Sequence, residues 1–124
     1  MPGRFAVLLV ACALLGPTAP PPETQRALTV SARRYAFTPD RIEVRRGDVV
    51  RITFEAEDIP HSFSIDALRI CKRAEPGHPV VIEFHADQPG TYPYYCNITT
   101  DARCRTMRGE LVVTGGPGAA VRGR

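Results

Sequence analysis

The sequence has no tryptophan, only two methionines and three histidines, and no apolar run long enough to cross a bilayer. Its longest run, Phe5 to Leu15, falls well short of the ~18 residues that span hydrocarbon as a helix. No segment carries a helical apolar period and no internal repeat is visible, which argues against a bundle or a solenoid. Net charge is also scarce. The whole chain carries +3, and between Arg26 and Gly115 there are 13 basic and 12 acidic residues, a balance of +1. So even a domain does not invite nucleic acid or a charged membrane surface as partner. There is no Ser/His/Asp arrangement and no open metal position beside a base, so an enzyme is not expected.

What is present favours a turn-rich β fold: twelve prolines and ten glycines in 124 residues. Residues 1–19 read as an export signal, with Arg4 before the apolar run. Within that run, Leu9-Val10-Ala11-Cys12 resembles a bacterial lipobox, which would make Cys12 a lipid-anchored first residue and the only tie to a membrane. The alternative is an ordinary signal cleaved near Ala19. Residues 20–25 form a proline-rich linker, 26–114 the domain, and 115–124 a patternless tail. Export places the domain in the periplasm, free or anchored, where disulfides are permitted.

Inside the domain, short alternating runs recur between turn signals. Ala27 to Ala32 is a first strand. Ile42 and Val44 alternate with charged residues in a second. Val50, Ile52, Phe54 and Ala56 share one face of a third. His61, Phe63 and Ile65 share the inner face of a fourth. Ala67 to His78 reads as a long charged connection. Val80, Ile82, Phe84 and Ala86 form another inward set, Thr91 to Cys96 another strand, and Leu111 and Val113 mark the last. The expected class is all-β, a sandwich of seven or eight strands in two packed sheets.

Among the histidines, parity separates one from the others. His85 is out of phase with Ile82 and Phe84, and His78 sits in a loop; both should be surface residues. His61 points inward at a strand start. Cys96 ends another strand, with Cys104 and Met107 a short loop away. One imidazole, two thiols and a thioether are soft donors that suit copper, Cu(I) especially, over magnesium or calcium. A Cys96–Cys104 disulfide closing the loop is the equally open alternative. Cys71 reads as a small buried residue or a disulfide partner. Tyr92, Tyr94 and Tyr95 read as core and rim packing.

From Tyr35 to Thr114 the chain resembles a cupredoxin domain. F-T-P-D-R-I-E-V-R-R-G-D-V-V-R-I-T-F is similar to that family's second and third strands. D-I-P-H-S-F is similar to the segment with its first histidine ligand, P-G-T-Y-P-Y-Y-C to the strand leading to its cysteine ligand, and M-R-G-E-L-V-V to its methionine ligand and last strand. The resemblance implies a Greek-key sandwich with a buried copper that shuttles one electron, and His61, Cys96 and Met107 as ligands. No second histidine follows Cys96. The loop is spaced more like the CuA domains of cytochrome c oxidase subunit II and nitrous oxide reductase, C-x3-C-x3-H-x2-M. On this chain that pattern meets Cys96, Thr100, Cys104 and Met107. Thr100 takes the place of a bridging thiolate and Cys104 that of a histidine, which excludes a conventional two-copper centre. The implied site is one copper held by His61, Cys96, Cys104 and Met107. Ser62 would donate a hydrogen bond to the Cys96 sulfur, and Asp58 would pin the loop before His61 or serve only its turn.

Three functions follow: a one-electron carrier, a Cu(I) delivery or storage module, or a metal-free disulfide-bonded interaction domain. The implied partner is a redox or copper-transfer protein, with no nucleic acid, and the chain itself a monomer.

Overall fold

The computed structural model describes residues 24–115, together with Gly3 and Gly16. The expectations for the leader, Cys12, residues 20–23 and the tail beyond Gly115 lie outside the described residues. Nine strands follow in order: β1 (Gln25–Arg33), β2 (Ala36–Thr38), β3 (Arg41–Arg45), β4 (Val49–Ala56), β5 (His61–Ile65), β6 (Ile70–Ala74), β7 (Val80–His85), β8 (Gly90–Tyr95) and β9 (Arg108–Thr114). They form a four-stranded sheet, β2-β1-β4-β7, and a five-stranded sheet, β3-β9-β8-β5-β6. Two pairings are parallel, β1 with β4 and β3 with β9; the others are antiparallel.

The all-β sandwich stands as expected, but with nine strands rather than seven or eight. The two unforeseen strands have a common cause. β2 has three residues, folded back on the end of β1 so that Arg33 pairs with Ala36, too short to show an alternation. β6 falls within the stretch expected to be a charged connection. It is an edge strand with only Ala74 fully buried, and Lys72 and Arg73 exposed. Charge on an edge prevents further pairing and also erases the period-2 signal. At the N-terminus, Gln25, placed in the linker, is already paired with Val49 in β4. Thr24 accepts a hydrogen bond from the Val49 N–H at 3.0 Å.

The core lies between the sheets. Val30, Val50, Ile52, Phe54, Phe63, Ile65 and Leu111 are wholly buried. Phe37, Phe54, Phe63 and Tyr94 form an aromatic cluster with centroid separations of 4.8 to 6.3 Å. The Tyr94 hydroxyl donates to the Pro39 carbonyl at 2.7 Å. Burial first, then the Asp40 and Glu110 charges, push its pKa upward. Gly109 lies against that ring so closely that a Cβ would occupy the Tyr94 edge.

Candidate metal centre

The β8–β9 hairpin builds the site. Tyr95 pairs with Arg108 as its last rung, so Cys96 and Met107 stand at its mouth, one on each arm. Between them a ten-residue loop ends in a 3-10 turn, Cys104–Thr106. The Met107 N–H donates to the Cys104 carbonyl at 3.1 Å, and the Cys104 N–H to the Asp101 carbonyl at 3.1 Å. This folds Cys104 back over the hairpin mouth. β5 lies beside β8, with Ser64 opposite Tyr95, and brings His61 to the same end.

The donor atoms of His61, Cys96 and Cys104 all lie within 4.8 Å of one another. All three side chains are wholly buried, and Met107 is 1% exposed. Cys96 and Cys104 are free thiols. The structure therefore gathers His61, Cys96 and Cys104 and buries Met107 at the foot of the same loop. His78 and His85 are exposed and away from it.

The orientation of His61 is set by Asp58. Its carboxylate accepts the Arg34 and Ile59 backbone N–H groups, each at 2.8 Å, and faces His61 Nε2 at 2.8 Å. Burial alone would raise the Asp58 pKa, but the Arg34 hydrogen bond, His61 and the Ile59 hydrogen bond outweigh it and lower the value to about 2. A carboxylate accepts only, so the proton of a neutral ring sits on Nε2. Nδ1 is left as a lone pair, 3.9 Å from the Cys104 sulfur, a geometry that presents it to a metal. The i,i+3 spacing of Asp58 and His61 was the sequence signal for this contact; turn chemistry accounts only for the Ile59 bond.

Around the thiols, burial, then the neighbouring Cys96, then Asp101 push the Cys104 pKa up to about 12. The Cys104 thiol would have to shed its proton to hold a metal. Asp101 is fixed by the Tyr35 hydroxyl at 3.2 Å and by the Arg103 N–H at 3.0 Å. The Cys96 sulfur receives the Ser62 backbone N–H at 3.4 Å. The Ser62 hydroxyl also reaches the Cys96 sulfur, at 3.7 Å, as the sequence led us to expect, and it lies 2.6 Å from Asn97 Oδ1. Cys71 departs from expectation. It is an exposed free thiol, because its strand is the sheet edge and its side chain is on the outer face.

The donor set fits a thiophilic metal: imidazole nitrogen, two thiols and a buried thioether, with no carboxylate among them. Comparisons with known proteins bear on the family and the fold. The family model of the cupredoxin-like domain matches residues 4–113, and the chain belongs to that family. Two cytochrome c oxidase subunit 2 sequences of Thermus thermophilus are 26% identical over 89 residues, 72% of this chain. The chain spans 66% and 53% of their lengths. The periplasmic domain of cytochrome oxidase subunit II from Bradyrhizobium japonicum superposes with a TM-score of 0.66 at 14% identity, covering 76% of this chain and 87% of that one. The metal-binding domain of the Streptococcus pneumoniae Cu(I)-exporting P-type ATPase, solved with Cu(I), gives 0.62 at 16% identity, covering 77% and 92%. At such identities the two structures speak to the fold.

Proposed function

We propose that the chain is an exported one-electron carrier holding a single copper on His61 Nδ1, Cys96, Cys104 and Met107. The observation that carries this is the convergence of the imidazole and two thiols within 4.8 Å, fully buried. When bound, copper supplies a Cu(II)/Cu(I) couple. The residues supply the rest. Asp58 holds the ring with Nδ1 free. The Ser62 N–H stabilises negative charge on the Cys96 sulfur. The two sheets keep the donors in place whichever oxidation state is present, so little rearranges on electron transfer. Burial closes the position to substrate, which suits passage of an electron to a redox protein rather than catalysis.

A second reading, Cu(I) delivery or storage, is favoured by one feature. Cys104 adds a second thiolate where the family pattern has histidine, and two soft anions hold Cu(I) firmly. Export is supported by the signal-like sequence of residues 1–19; among the described residues no helix is long and apolar enough to cross a membrane. Metal analysis, an optical spectrum and voltammetry of freshly purified protein test the proposal. One copper per chain with reversible one-electron cycling is the expected result. Copper that stays Cu(I) across the accessible range would favour delivery or storage. Metal-free protein with a Cys96–Cys104 disulfide would overturn both.

A further inference from the structure

Asn97 directly follows Cys96 and is exposed, a place where a side chain usually changes little. Here it is bonded on both sides. Its backbone N–H donates to Ser62 Oγ at 2.7 Å, and Ser62 Oγ donates back to its Oδ1 at 2.6 Å. Its Nδ2 donates to the Cys71 sulfur at 3.1 Å, which also receives the Ser64 hydroxyl at 3.5 Å. Cys71 thus fixes which way the amide faces: Nδ2 outward to sulfur, Oδ1 inward to Ser62. Ser62 itself is 1% exposed and can turn to no solvent acceptor. Its hydroxyl proton has two destinations, Asn97 Oδ1 or the Cys96 sulfur 3.7 Å away.

We propose that Asn97 is a positioning residue that draws the Ser62 hydroxyl proton away from the Cys96 sulfur and is held in that role from the surface by Cys71. Of the two Ser62 groups that reach the sulfur, only the N–H then donates to it. Hydrogen bonds to a ligand thiolate weaken its donation to the metal and favour the reduced form. Asn97 therefore keeps the Cys96 sulfur a strong donor. This rests on the copper reading for its redox consequence but not for its hydrogen-bond geometry.

The test uses Asn97→Ala, Cys71→Ala, Cys71→Ser and the double variant Ser62→Ala/Asn97→Ala in the full chain. On copper-loaded protein, Asn97→Ala should raise the midpoint potential and move the thiolate-to-copper absorption to higher energy, with a nearly unchanged Tm. Cys71→Ala should shift both the same way by less, and Cys71→Ser, which retains an acceptor, should resemble the parent. On metal-free protein, the infrared S–H band of Cys96, assigned by its loss in Cys96→Ala, should shift in Asn97→Ala. In the Ser62→Ala background, Asn97→Ala should shift nothing, because the proton it redirects is gone. The proposal is overturned if the S–H band stays fixed in Asn97→Ala, or if the shift survives without the Ser62 hydroxyl. The infrared arm decides even if the protein takes up no copper, so the two readings fail separately. Should Asn97→Ala not fold, Cys71→Ala probes the same amide from the surface, and a parent-like S–H band there overturns the proposal.

Discussion

In the four-stranded sheet, β4 alternates: Val50, Ile52, Phe54 and Ala56 are buried, while Arg51 and Glu55 are exposed. In the five-stranded sheet, β5 is buried at all five positions, His61 to Ile65. Apart from His61, the inner residues of both strands do the same work, filling the space between the sheets. The outer residues differ. Those of β4 meet water and pair across strands, as Arg51 does with Glu83 at 3.2 Å. Those of β5, Ser62 and Ser64, lie beneath Asn97 and Cys71 and hydrogen-bond to them. One strand supports the fold; the other supports the fold on one side and the donor sulfur on the other.

The largest expected effect separates stability from chemistry. Phe54→Ala removes a wholly buried ring from the four-stranded sheet, and should lower stability by about 3–5 kcal/mol. Chemical denaturation checks this, and the absorption of the copper-loaded folded fraction should be unaltered. A changed copper spectrum would show that the sheets are not separable in this way. Next is Gly109→Ala, in the five-stranded sheet opposite Tyr94. The new methyl meets the Tyr94 ring, and thermal melts should show a loss of roughly 1–3 kcal/mol from overpacking.

Cys104→Ser should weaken copper binding by at least about tenfold while leaving Tm close to the parent's, since it removes a thiolate without opening a large cavity. Competition with a Cu(I) chelator measures the first and calorimetry the second. A fall of ~2–4 kcal/mol in stability would instead indicate a lost disulfide. Cys104→His creates a two-His, one-Cys, one-Met set and should give Cu(II) a strong thiolate-to-copper band distinct from the parent's. The smallest effect is at Asp58. Its folded pKa of about 2 lies below the ordinary 3.8, so its contribution is fully present above about pH 4 and lost as pH falls through 2. Asp58→Asn should flatten the metal-free protein's stability profile across that interval; an unchanged slope would remove Asp58 from the acid response.

Period-2 alternation made the inner faces of β3, β4, β5 and β7 legible from the chain alone, because burial of one sheet face is written into every second residue. It also set His61 in phase with Phe63 and Ile65, and the short Cys96-to-Met107 spacing marked the donor loop. β2 and β6 escaped because a three-residue strand and a charged edge carry no such pattern. The pairings that define the site's surroundings were not legible for a different reason. Ser62 meets Cys96 and Asn97 across 34 and 35 residues, and Asn97 meets Cys71 across 26. No local periodicity encodes a contact between strands that only the sheet order brings side by side. The residue types able to ligate a metal were therefore set by the sequence. Which sulfur receives which proton, and which thiol faces water, was decided by tertiary structure, since hydrogen-bond direction and exposure depend on neighbours remote in the chain.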